Sequence, residues 1–433
     1  MSERYVVLGL ARPRAAWFSE VSRWATTAAV PVEFVKCLAP DEARARLASG
    51  RRWSALLVDA GAHGVDRDLL DAAASVGAAA VVIGDDRVER DWIELGAVAT
   101  LPADLTRDDL LRVLAEHARP VSRSAPLPDL DVPAPPPPWR GSLVAVAGTG
   151  GSGASTVAAM LAHGLGSDVR EQGLVVLADL ALSADQAVIH DTGEVSPALA
   201  ELVELHRLGR AQPDDVRALV FGGGRERPYD LLLGLRRHRD WTTLRPRSVD
   251  AALDGLRATY RIVVADVDAD VEGERDTGSH DVEDRNLLAR TTLDAADVVL
   301  VVGRCDVVGV HKLAATLRDL RRFGIPPDRL LPVANRAPRS PAARSEITSA
   351  IARLGGDDVG APISPLFVAD RRRLDQQIRA AGSWPMGISR DLAAAARAVL
   401  ERARSIATDA AAVPERVVPG SLGHLSDLES DAS

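Results

Sequence analysis

The chemistry in this chain is concentrated in nine residues, Gly148-Thr149-Gly150-Gly151-Ser152-Gly153-Ala154-Ser155-Thr156. Glycines at this spacing let a backbone wrap closely around a phosphate. Loop amides and the N-terminus of a following helix then supply partial positive charge. Ser155 holds the hydroxyl place that suits Mg²⁺, and Thr156 can bond the α-phosphate. The standard pattern is G-x-x-x-x-G-K-[ST], and here Ala154 occupies the lysine position. The same glycines also satisfy G-x-G-x-x-G as Gly148, Gly150 and Gly153, the dinucleotide fingerprint. Asp179 stands near the place of that fingerprint's ribose-binding acid. The glycines alone leave both readings open.

Later segments bear on the choice. The apolar run 260–268 carries Asp266 at its end, where a carboxylate can order the water shell of Mg²⁺ beside β- and γ-phosphates. Residues 294–302 read as another buried strand. Residues 330–336 form a strand ending in Asn335 and Arg336, and an asparagine amide there can both donate to and accept from an adenine edge. A nicotinamide oxidoreductase would need a catalytic His/Lys or Tyr/Lys pairing, which the sequence does not offer.

The elements that must position these groups follow from pattern. Residues 143–147 are an apolar strand before the loop, and Val157, Met160, Leu161 and Leu165 mark a helix after it. Residues 174–177 form a strand leading to Asp179. Residues 271–286 are an acidic loop, read as a solvated insertion. A helix at 391–403 is alanine-rich and lacks the bulky apolar and basic faces of a membrane anchor.

Residues 1–119 repeat the strand–helix alternation, with strands at 5–10, 32–35, 55–58, 80–83 and 97–101 and amphipathic runs at 43–47 and 108–117. This alternation implies a parallel, doubly wound sheet. Asp59 ends the third strand. In that respect the segment resembles a response-regulator receiver, whose phospho-acceptor sits there. The acidic pair after the first strand is replaced by Gly9 and Leu10, however. Gly84 and Ala103 stand at the hydroxyl and lysine positions. An aspartate without metal ligands or a neutralising lysine is poorly equipped for phosphoryl transfer, so Asp59 is expected to be vestigial.

The segment 120–140 includes Pro133-Ala-Pro-Pro-Pro-Pro138 and reads as a semi-rigid spacer. The expected organisation is therefore α/β, with two doubly wound parallel-sheet domains. A receiver-like domain spans 1–119, a linker 120–140, a nucleotide-binding domain 141–405 and a flexible tail 406–433.

Taken in order, the motifs of 141–385 resemble the MinD/ParA group of P-loop ATPases (the SIMIBI class), and especially its CpaE/TadZ-like branch. A pseudo-receiver ahead of an atypical ATPase core is that branch's architecture, and the ending at 368–382 is similar to it. The family loop reads roughly G-K-G-G-x-G-K-[ST]-[ST]. In this chain Thr149 and Ala154 replace both lysines. The family's D-x-D-L run corresponds to Leu177-Ala178-Asp179-Leu180, with only the second aspartate kept.

The resemblance implies ATP or ADP at loop 148–156, with Ser155 and Asp266 serving Mg²⁺. It also implies Asp179 positioning Mg²⁺ and the attacking water, and Asn335 and Arg336 near the nucleotide. Hydrolysis is expected to be slow or lost unless an arginine such as Arg140 or Arg336 replaces a lysine. The family further implies a homodimer that meets protein partners of the division or pilus/secretion machinery. The role it implies is septum-site selection or placement of such an assembly. A nucleotide-free scaffold remains the alternative.

Composition agrees with a globular protein, at 46% hydrophobic and 26% charged residues. Lys36 and Lys312 are the only lysines. A net charge of -9 gives no strong nucleic-acid signal. Two distant cysteines, Cys37 and Cys305, suggest a reducing compartment and no metal cluster. No apolar run approaches the ~18 residues of a spanning helix. The expected location is cytoplasmic, with recruitment to the membrane, pole or septum through partners.

Overall fold

A computed structural model describes residues 4–12, 15–84, 90–121, 139–168, 170–171, 173–193, 196–209, 211–223, 227–355, 364–371 and 384–410. The N-terminal sheet has five parallel strands, β1 (Tyr5–Leu10), β2 (Val32–Cys37), β3 (Ala55–Asp59), β4 (Ala79–Gly84) and β5 (Ala99–Pro102), in the order β2-β1-β3-β4-β5. Its strands are apolar along most of their length because both faces are covered. Helices α2 (Pro40–Leu47) and α3 (Arg67–Ser75) pack on one face. Helices α1 (Ala16–Thr26) and α4 (Arg107–His117) pack on the other. The fifth strand begins two residues later than the pattern suggests, because Gly96 takes a positive φ of 112° in the preceding turn.

The second sheet has seven strands, all parallel: β6 (Ser142–Gly148), β7 (Val175–Asp179), β8 (Asp230–Leu232), β9 (Ile262–Asp268), β10 (Val298–Arg304), β11 (Leu330–Ala337) and β12 (Leu366–Ala369). Their order is β12-β11-β10-β6-β9-β7-β8. β6 is central, and the chain leaves its carboxyl end beside the switch in strand order, where α/β sheets place their ligands.

The helices of this half, in chain order, are α5 (Ala154–Gly166), α6 (Gln186–Ile189), α7 (Leu199–Leu208), α8 (Pro213–Arg217) and α9 (Pro246–Thr259). They continue with α10 (Glu274–Thr277), α11 (His280–Arg285), α12 (Leu287–Ala295), α13 (Val307–Phe323), α14 (Pro341–Gly355) and α15 (Met386–Ala410). One face carries α5 and α15, and the other carries α7, α9, α12 and α13.

The alanine-rich character of α15 has a packing cause. A Cβ on Gly164 of α5 would lie 1.9 Å from the Ser389 carbonyl oxygen, so the two helices approach as closely as small residues allow. Ala393 and Ala396 are buried in that seam. The expected boundary at 405 is displaced, since α15 continues to Ala410. Most of the linker (122–138), most of the ending at 368–382 and the tail from 411 lie outside the described residues.

Candidate functional site

Loop 148–156 bridges the end of β6 and the start of α5, as its glycines require. Gly151 and Gly153 have φ of 79° and 87°, a left-handed backbone that side chains disfavour. The Ser152 N–H donates to the Thr149 carbonyl at 2.9 Å and tightens the turn. Helix α5 starts at Gly153 with no side-chain cap, which leaves its first-turn amides for a ligand. Ala154, at the lysine place, packs against the apolar cluster beneath the helix.

Asn335, 9% exposed at the end of β11, braces this loop. Its Nδ2 donates to the Ser152 carbonyl at 2.8 Å, and its Oδ1 accepts the Arg336 N–H at 2.8 Å. A Cβ on Gly153 would sit 2.5 Å from that Nδ2, so glycine is needed for the brace as well as for the φ. One donor of the amide and one acceptor site are thus engaged within the protein, which makes Asn335 a brace for the loop. Arg336 follows on the same sheet edge, exposed and at φ 55°. Arg140 does not fit the expectation that it replaces a lysine. It precedes β6, at the opposite end from the loop, and pairs with Asp254.

Beside the loop, Asp179 of β7 and Asp266 of β9 are register partners on adjacent strands, and both are buried. Burial pushes the Asp266 carboxyl up to about 6, against the opposing hydrogen bonds of Gln186 and Ser155. Burial and the neighbouring Asp266 charge hold Asp179 well above the usual carboxylate range. Asp179 is engaged by backbone amides on both oxygens. Its Oδ2 accepts the Gln186 N–H at 2.8 Å and its Oδ1 the Ala181 N–H at 3.4 Å, so it pins the turn after β7.

Gln186 was not legible as a site residue. It is fully buried, and its Nε2 donates to Asp266 Oδ2 at 2.7 Å and to the Ser155 carbonyl at 3.0 Å. A directional chain fixes the start of α6 from behind. Trp384 Nε1 can only donate, and it gives its hydrogen to the Tyr229 hydroxyl at 3.0 Å. Tyr229 then donates to His190 Nε2 at 2.8 Å, and His190 Nδ1–H donates to the Gln186 carbonyl at 2.8 Å. This ordering needs a neutral imidazole, and burial lowers His190 to about 4.

A cavity of about 1200 Å³ opens from Gly148, Thr149 and Gly150. The segment 271–286, read as a solvated insertion, is exposed along most of its length; it folds into α10 and α11 and walls this cavity. Seven acidic residues line it against four arginines, and three of the arginines are held by acids, Arg285 by Asp270 at 2.8 Å, Arg290 by Glu283 at 3.7 Å and Arg322 by Asp319 at 3.8 Å. Among the described residues no cluster of three or more metal-ligating side chains occurs, and no helix is long and apolar enough to cross a membrane.

In the N-terminal domain Asp59 is 3% exposed and engaged on both oxygens. Arg12 Nε lies 2.9 Å from its Oδ1, the Gly61 N–H donates to that oxygen at 2.9 Å, and Trp17 Nε1 donates to Oδ2 at 3.2 Å. The guanidinium takes the place a metal would need, and Gly61 admits it: a Cβ there would lie 2.5 Å from the Arg12 side chain.

No family model matches the chain, and no curated protein matches it. Solved structures of ParA and MinD ATPases do. A ParA family ATPase from Chlorobium tepidum is 16% identical, covering 62% of this chain and 99% of its own, with a TM-score of 0.45. A putative plasmid partition protein from Borrelia burgdorferi, bound to AMPPNP, is 13% identical over 61% and 99%, with a TM-score of 0.42. The septum site-determining protein MinD from Pyrococcus horikoshii, complexed with Mg-ADP, is 17% identical over 63% and 97%, with a TM-score of 0.39.

Proposed function

We propose that this chain is a nucleotide-binding switch of the MinD/ParA type, in the CpaE/TadZ-like arrangement, with hydrolysis slow or lost. The observation that carries the reading is the braced glycine loop with an uncapped helix start, whose residues Gly148–Gly150 open into a large cavity, with the Ser155–Asp266 pair at the base of the helix. Loop and first-turn amides of α5 hold the phosphates. The Ser155 hydroxyl and Asp266 are oxygen donors of the kind that suit Mg²⁺, which would neutralise phosphate charge when bound. Asp179 and Asn335 act as positioning residues for the α6 turn and the loop.

Catalysis is the weak part. Losing one charge-stabilising contact commonly costs about 10²–10³ in rate, and Ala154 and Thr149 remove two cations. The chain then works by changing partners with nucleotide or dimer state, in septum-site selection or in placing a pilus or secretion assembly from the cytoplasm.

The direct test is melting temperature and light scattering with ATP and ADP. Occupancy at about 100 times Kd stabilises the fold by about 2.7 kcal/mol, and the upward shift should be saturable. A melting temperature unmoved by either nucleotide at millimolar concentration would favour a nucleotide-free scaffold.

A further inference from the structure

Resting on the nucleotide reading above, a second function emerges for Gln186. Its side-chain Nε2 carries two hydrogens: one is spent on Asp266 Oδ2, the carboxylate a divalent cation would meet, and the other on the backbone carbonyl of Ser155. The orientation is fixed, because turning the amide over would set its oxygen against two acceptors. Its Oε1 is buried without a hydrogen-bond partner, an arrangement that is costly unless something else benefits. The backbone is clamped on both sides, its N–H on Asp179 and its carbonyl under His190.

We propose that Gln186 is a built-in competitor of the divalent cation. Its amide holds Asp266 Oδ2, so the loop takes nucleotide with little dependence on Mg²⁺. Full release of Asp266 requires the amide to leave it, on a backbone clamped by Asp179 and His190.

The test uses the full chain, with Gln186→Met to keep the volume without the amide and Gln186→Ala as a second variant. Each is titrated with fluorescent mant-ADP in Mg²⁺ and in EDTA. Wild-type affinity should change by less than about threefold with Mg²⁺, while either variant should gain about tenfold or more. Wild-type binding that already tightens about tenfold with Mg²⁺, or variants that behave as wild type does, overturns the proposal.

A second arm uses Mn²⁺ alone, read by electron paramagnetic resonance. The variants should bind one ion about tenfold more tightly than wild type, and equal binding overturns the proposal. If mant-ADP binds none of the proteins, the nucleotide reading fails by itself. The Mn²⁺ arm then still decides the role of Gln186.

Discussion

Asp68 of the N-terminal domain caps a helix of the C-terminal domain: its Oδ1 accepts the Arg247 backbone N–H at 3.0 Å. Its Oδ2 accepts the Ser248 hydroxyl at 2.5 Å. Helix α9 has no cap of its own, since Arg245 at the N-cap makes no side-chain bond. The neighbouring Asp66 adds Arg207 of the second domain at 3.1 Å, and Asp71 adds Arg247 at 2.7 Å. α9 runs directly into β9 and hence to Asp266. The N-terminal sheet domain thus holds one end of the helix that feeds the candidate site.

Asp68→Ala should therefore destabilise the chain by about 1 kcal/mol, the usual cost of losing an N-cap. The largest loss of hydrogen-exchange protection should fall in the first turn of α9. Urea denaturation with exchange mass spectrometry reads both, and unchanged protection in α9 would show that the cap contributes nothing.

Asp266 gives a pH prediction with a definite sign. Its carboxyl titrates at about 6 in the folded chain, above an unfolded value of about 3.9. The folded state binds more protons between these values, so the stability owed to this group is full below pH 4 and is lost as pH rises through 6. Asp266→Asn should then be more stable than wild type at pH 7.5, on the order of 2 kcal/mol. The advantage should shrink to about a third near pH 4.5 and vanish below about pH 3. A difference that does not vary with pH would mean that Asp266 is not a raised acid.

His190 should titrate near 4, with the proton on Nδ1 at neutral pH. Nitrogen chemical shifts of the imidazole report both. A titration near the ordinary value of about 6.5 would break the chain from Trp384 to Gln186.

Gly153→Ala tests the brace on the loop. The substitution places a Cβ against Asn335 Nδ2 and forces a left-handed conformation, which costs about 1–2 kcal/mol. Denaturation should show that loss, and nucleotide-induced stabilisation should fall further than that of Gly150→Ala, where a Cβ meets open space. Equal effects at the two glycines would separate Asn335 from ligand binding.

What was readable in the sequence, and what was not, divides along physical lines. The buried strands β1, β3, β4, β6 and β9 announce themselves because parallel strands covered on both faces are apolar runs. Glycine spacing located the turn between β6 and α5, because Gly151 and Gly153 need a left-handed backbone. The roles of Asn335 and Arg140 depended on which end of which strand meets the loop, and only the sheet order supplies that. Gln186 was hidden because a buried glutamine has no spacing signature. Its partners Ser155 and Asp266 lie 31 and 80 residues away in sequence. The acidic segment 271–286 looked solvated because its few apolar residues do not show which of its faces lines a cavity.

The decisive experiment pairs equilibrium binding of fluorescent ATP with single-turnover release of labelled phosphate, on wild type and on the Thr149→Lys/Ala154→Lys double variant. ATP should bind both saturably, and wild type should release phosphate at least about 10²-fold more slowly than the lysine-restored protein. No binding of ATP to wild type at millimolar concentration, or release as fast as in the double variant, would rule out a nucleotide switch with lost hydrolysis.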